Sequence, residues 1–200
     1  MRGRPMNDQY YQAFTRAIVS QLFVSGSRAQ RVIQEINEEN YQFKLEFRVK
    51  SAHAVAFRLE DVKAQAKYLN GGKRAAGKDN DCTIIDNGIF QIEVKETKRM
   101  GNTKASKQLI GGERWLKHLL YLVASEDETL KTQDPQQIYN LIIQRVGRGT
   151  LSRTQSRQVI RDGDNYRIRI GKNERRIDLT RVKNEITQGS SVVNDRRFFS

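Results

Sequence analysis

"DCTIIDNGIFQIEVKETK", residues 81–98, holds two apolar runs around Asn87-Gly88 and sets Asp81, Glu93 and Lys95 into them. Short runs rich in β-branched and aromatic residues on either side of Asn-Gly read as a β-hairpin. In the second run Phe90, Ile92 and Val94 point to one side, so Glu93 and Lys95 share the other, about 6.6 Å apart along the strand. Charged groups on so apolar a strand need a partner, and a divalent cation would be one. Whether Asp81 joins them depends on the turn. If Asn87-Gly88 alone makes a two-residue loop, Asp81 opposes Val94 and falls on the wrong face. If Asp86-Asn87-Gly88 is a three-residue loop with Gly88 left-handed, Ile85 opposes Ile89 and Asp81 opposes Glu93. The two carboxylates then converge on a place that suits Mg²⁺ or Mn²⁺, because hard cations prefer oxygen, and the Val94 carbonyl can add a ligand. The plain counterpart is a cross-strand ion pair on a sheet face. A bare Glu-x-Lys triplet carries little by itself, since Glu96-Thr97-Lys98 and Asp61-Val62-Lys63 have the same form.

Working outward, "NDQYYQAFTRAIVSQLF" places Tyr10, Phe14, Ile18 and Leu22 at helical spacing. "GSRAQRVIQEINEEN" offers Ser27 and Gln30 as a capping box before Ala29, Val32, Ile33 and Ile36, which predicts a helix over about residues 28–39. "YQFKLEFRV" alternates as a half-buried strand, and "LEDVKAQAKYL" predicts a short helix ending at Gly71-Gly72. After the hairpin, "KQLIGGERWLKHLLYLVA" is a helix with Leu116, Leu119, Leu120 and Val123 as its stripe. Its glycines favour a start after Gly112. "QQIYNLIIQRV" is a buried strand. From Gly147 onward the chain turns polar and basic, with "NYRIRIGKNERRIDL" as a small hairpin and a mobile tail expected beyond it. The expected organisation is α/β: a main domain over residues 1–146 and a basic C-terminal extension over 147–200.

Charge and cysteine usage narrow the partners. The 200 residues carry 36 Lys and Arg against 23 Asp and Glu, a formal net charge of +13, spread along the whole chain. Such a surplus favours polyanions, meaning nucleic acid or an acidic membrane surface. No run approaches the roughly 18 apolar residues of a membrane span, and "MRGRPMNDQYY" lacks the apolar stretch of a signal peptide, so a soluble, intracellular protein is expected. The single cysteine, Cys82, excludes an intrachain disulfide framework. With only His53 and His118 beside it, structural zinc is excluded too, and any metal must be held by oxygen. Neither histidine has the company of a catalytic site. Trp115 and Tyr121 read as core.

The hairpin resembles the metal site of the PD-(D/E)XK nuclease superfamily, in which a metal-binding Asp precedes Glu-x-Lys on the next strand. The matching residues are Asp81, Glu93 and Lys95; Asn80 stands where the motif has proline. The order of "GSRAQRVIQEI", the Asp81–Lys98 hairpin, a basic stretch, Gln108 near a helix start and "IYNLIIQRV" is similar to archaeal-type Holliday-junction resolvases, over about residues 25–146. That resemblance implies a restriction-endonuclease-like core, a mixed β-sheet flanked by helices. It implies Mg²⁺ or Mn²⁺ on Asp81 and Glu93, and Lys95 orienting the attacking water or stabilising charge on the phosphate. Gln108 would belong to the same site, or be an ordinary polar residue at a helix start; Lys98, Arg99 and Lys104 read most simply as a solvated basic loop, placed directly after the site where they would hold phosphates. The helix position that is Glu in those resolvases is Gln30 here. Gln30 would bind through its amide oxygen, or Glu35 or Glu39 would supply the carboxylate, Glu39 lying nearer the edge of the stripe. The implied activity is DNA hydrolysis in recombination or repair, by a homodimer if a junction is cut symmetrically. Two alternatives stand beside it: a non-catalytic nucleic-acid-binding protein on the same fold, and a restriction-like or viral RNA-cleaving nuclease.

Overall fold

The computed structural model describes residues 6–38, 41–65, 79–96, 103–131, 137–147 and 158–195. It is an α/β protein with a mixed sheet flanked by helices. Helix α1 (Met6–Ala17) buries Tyr10, Ala13 and Phe14, one face at helical spacing. β1 (Phe23–Ser25) follows, then β2 (Arg31–Glu38), β3 (Tyr41–Arg48), β4 (Val55–Phe57) and the short α2 (Leu59–Ala64). The hairpin is β5 (Cys82–Asp86) and β6 (Gly88–Glu96). Helix α3 (Thr103–Ala124) and the single-turn α4 (Glu128–Lys131) lead to β7 (Ile138–Val146). β8 (Val159–Asp162), β9 (Asn165–Gly171), β10 (Arg176–Asp178) and α5 (Leu179–Asp195) complete the described chain.

Among the described residues, seven strands form one sheet in the order β1-β4-β5-β6-β7-β9-β8, and three form another, β10-β3-β2. β4, β5 and β6 are successively antiparallel, whereas β7 runs parallel to β6 and β9 parallel to β7. The β6-to-β7 connection passes through α3, as a parallel pair requires. Side-chain alternation then divides the core. Cys82, Ile84, Phe90, Ile92, Val94, Leu141 and Ile143 face the small sheet and α5, meeting Val32, Ile36, Phe43, Leu45 and Phe47. Ile85 and Ile89 face the other way, onto Phe14 of α1 and Leu116 and Leu119 of α3.

Three expectations are corrected. Residues 31–38 are a strand and not a helix, paired antiparallel with β3 from Arg31↔Arg48 to Glu38↔Tyr41. "NYRIRIGKNERRIDL" is not a hairpin: β9 lies in the main sheet and β10 in the small one. α3 begins at Thr103 and runs straight through Gly111-Gly112. Residues 66–78, including the expected helix end at Gly71-Gly72, lie outside the described residues.

Candidate functional site

The hairpin register settles which face Asp81 takes. Ile85 pairs with Ile89 and Cys82 with Ile92, so the same frame sets Asp81, one residue before β5, opposite Glu93. Gly88 makes the turn with φ of 138°, a value only glycine holds without strain, and a Cβ there would lie 2.8 Å from the Tyr139 ring. Asp81 extends the ladder just before β5 begins: its Oδ2 accepts the Val94 N–H at 2.6 Å. The Val94 carbonyl accepts a long bond, 3.4 Å, from the Tyr41 hydroxyl reaching across from β3. Glu93 is fully buried and forms an ion pair with the half-buried Lys95, as a charge out of water must. Burial pushes the Cys82 thiol well above its ordinary value, and the charges of Asp81 and Glu93 beside it push the same way.

Behind these residues a polar layer lies under α3. Gln91 shares the Glu93 face and donates to Asn140 Oδ1 at 2.9 Å, while Asn80 donates to the Cys82 carbonyl at 2.5 Å and to Thr83 Oγ1 at 3.0 Å. All this polarity fits beneath a helix because α3 has Gly112 above it. A Cβ there would meet Asn80 Oδ1 at 2.5 Å and Gln91 Oε1 at 2.7 Å. Gln108, one turn earlier, donates to the Asp79 carbonyl at 3.2 Å and so ties α3 to the strand that carries Asp81. Asp79 itself is half-buried and pairs with Lys63 of α2, whose Nζ lies 2.6 Å from Oδ2 and 5.0 Å from the Trp115 ring centre. Burial raises the Asp79 carboxyl, and the bond and charge of Lys63 pull it partly back.

Compared with protein-family models, with curated proteins and with solved structures, the chain gives no match. The site therefore rests on its own geometry. Asp81, Glu93, Val94 and Lys95 come together at one end of the hairpin, with Gln108 linked to the chain just before Asp81. Gln30 does not join them. It lies in the loop before β2 with φ of 54°, its carbonyl accepting the Val49 N–H. The next residues, Lys50 and Ser51, donate their N–H groups to Asp86, which puts Gln30 at the turn end of the hairpin, away from Asp81. Glu35 is exposed on β2 and takes a 2.7 Å bond from Gln42. Glu39, Lys98 and Arg99 lie outside the described residues; Lys104 is exposed on the first turn of α3.

Among the described residues no group of three or more His, Cys, Asp or Glu side chains gathers as a metal cluster, and no helix is long and apolar enough to cross a membrane. His53 stacks on Tyr11 and binds Asp8 at 2.6 Å, and His118 meets the Trp115 edge; both are exposed. Tyr121, read as core, is 75% exposed. Sequence reading missed Gln91, although the two-residue period that joins Glu93 to Lys95 reaches it one step earlier. It also missed Tyr41, which no local pattern could link to Val94, 53 residues away.

Proposed function

We propose that the chain is a metal-dependent endonuclease of the PD-(D/E)XK type acting on DNA, with branched DNA such as a Holliday junction as its substrate. The observation that carries the reading is the pairing frame that sets Asp81 across from Glu93, with Lys95 on the same strand face. The order of elements supports it: the β5-β6 hairpin, then α3 with Gln108, then β7, in a mixed sheet flanked by helices as the resemblance implies. The donor set is all oxygen, two carboxylates and the Val94 carbonyl, and fits a hard divalent cation such as Mg²⁺ or Mn²⁺. When bound, such an ion neutralises phosphate charge and makes water a better nucleophile. Asp81 and Glu93 would hold it, Lys95 would bring a positive charge beside the scissile phosphate, and Gln108 keeps α3 seated on the segment that leads into Asp81. A two-fold homodimer would cut a junction symmetrically.

A second reading, a nucleic-acid-binding protein without catalysis, is favoured by one observation: Gln30, which stands where the resolvases have a carboxylate, lies at the far end of the hairpin and adds no ligand to Asp81 and Glu93. A panel of four-way junction, linear duplex, single strand and RNA, with Mg²⁺, Mn²⁺ or chelator, separates the two. Metal-dependent paired nicks in the junction are expected, and preferential RNA cutting would point to another nuclease of the same type. Glu93→Gln removes a ligand's charge at nearly constant shape, and Lys95→Ala removes the ammonium. Each should slow cleavage by roughly 10² or more, the scale of losing one preorganised electrostatic group, with binding little changed. If no substrate is cut with either metal while binding persists, the nuclease reading is wrong.

A further inference from the structure

The face of the sheet beneath α3 changes character in rows. Ile85, Ile89 and Ile138 make an apolar row at the turn end; Thr83, Gln91 and Asn140 make a polar one; Asp81, Glu93 and Ile142 come next. The row beyond them runs Lys95, Gln144 and Arg169, since Lys95 pairs with Gln144 and Gln144 with Arg169. The facing is fixed at both ends of β9. Ile168 and Ile170 point into the core shared with the small sheet, and Asn165, on the same face as Arg169, donates to Ser106 of α3 at 3.0 Å.

Arg169 is unusual among the charged groups on this face. Arg167 is buried against Asp162 and Lys95 against Glu93, but Arg169 makes no hydrogen bond or ion pair with any described residue. Its Nε is shut off from solvent with no partner, and the residue is half-buried. A guanidinium held on a strand with its donors unspent suits an oxyanion, because the planar fork can give two hydrogen bonds to one phosphate. The row also lies at the C-terminal ends of parallel strands β6, β7 and β9, where open α/β sheets bind their ligands.

We propose that Arg169, next to the buried Gln144, holds a backbone phosphate of a DNA strand that crosses the strand ends from Lys95, about 10 Å away across two strand spacings. The identity of the ligand rests on the nuclease reading; the anion site rests on the row itself. Arg169→Gln should weaken binding of a fluorescein-labelled DNA duplex in chelator by about tenfold. It should also make the slope of log affinity against log salt shallower by about 0.9, the share of one phosphate contact. Lys44→Gln, which removes the same charge from the exposed face of β3, should leave affinity within about twofold and the slope unchanged. Arg169→Lys keeps the charge but not the fork, so it should hold the slope and lose part of the affinity, and it serves if the glutamine variant melts early. An unchanged slope in both Arg169 variants, in a protein that binds and cuts DNA, overturns this inference and leaves the nuclease reading standing. A changed slope in a protein that cuts nothing leaves the anion site standing and removes the nuclease. No DNA binding by the unaltered chain overturns both.

Discussion

A methyl group at position 112 would lie 2.5 Å from Asn80 Oδ1 and 2.7 Å from Gln91 Oε1, inside van der Waals contact with both. Alanine would suit the helix by roughly 1 kcal/mol. The two amides cannot swing away freely, because each is held by hydrogen bonds to Cys82, Thr83 or Asn140, and breaking one in the interior costs about 1–3 kcal/mol. Gly112→Ala should therefore lower stability by about 1–2 kcal/mol in urea unfolding, and slow any metal-dependent cleavage by shifting Asp81 through Asn80. A variant more stable than the parent would mean the amides repack without loss. At this scale the sequence was informative where one strand's parity and one turn decide the outcome. Asn87-Gly88 and the two-residue period narrow Asp81 to two frames, and the structure takes the one with Ile85 opposite Ile89 and Gly88 at positive φ, which sets Asp81 across from Glu93. It was uninformative where a contact spans the chain: Gln30's place depends on how β2 enters the small sheet, and Tyr41 reaches Val94 only once the two sheets stack.

Residues 28–39 were misread because Val32 and Ile36 share a face in both a helix and a strand. Ile33 tells the two apart, and in β2 it is 57% exposed on the outer face while eight cross-strand pairs with β3 hold the strand. Pairing with a distant partner overrode a local cap and a plausible stripe. The start of α3 was misplaced for the opposite reason: propensity penalises Gly111-Gly112, but the buried amides below need the gap. The α2 contact to the segment just before β5 invites its own test. Lys63 and Asp79 have side chains 8% and 11% exposed, and removing one member of a buried pair strands the other's charge. Lys63→Met should cost about 3–5 kcal/mol at neutral pH, followed by urea unfolding through the fluorescence of Trp115, the single tryptophan, while the double variant Lys63→Met/Asp79→Leu should recover most of it. The pH dependence has a definite sign. Burial raises the folded-state value of Asp79 above the unfolded one, so its ionisation costs stability above the folded value and that cost fades as pH falls through it. Without Lys63 the folded value rises further, so the deficit of the single variant should shrink on acidification. A deficit that grows in acid would mean Asp79 is not the stranded charge.

Across the whole molecule, the alternation of helices with apolar strands was enough to read α/β. The place of the C-terminal third was not, because β9 pairs with β7 and β10 with β3 through contacts that composition does not encode. The basic surplus was legible from counting alone. Two partly exposed carboxylates each meet two cations: Glu46 meets Arg31 at 3.3 Å and Arg176 at 3.4 Å, and Glu96 meets Arg145 and Lys172. With 36 basic against 23 acidic residues, many cations must remain for an outside partner. If that partner is the phosphate backbone, each contact releases condensed counterions. Log affinity should then fall linearly with log salt, at about 0.9 per phosphate on duplex DNA, so that 6–10 contacts would cost roughly 10³–10⁵ in affinity between about 50 and 200 mM. Fluorescence anisotropy with labelled duplex in chelator measures the slope directly and keeps binding separate from cleavage. A steep slope shared by unrelated sequences is expected, since phosphate contacts carry no base information. Tight binding that ignores salt would mean that the surplus charge serves something other than a nucleic-acid backbone.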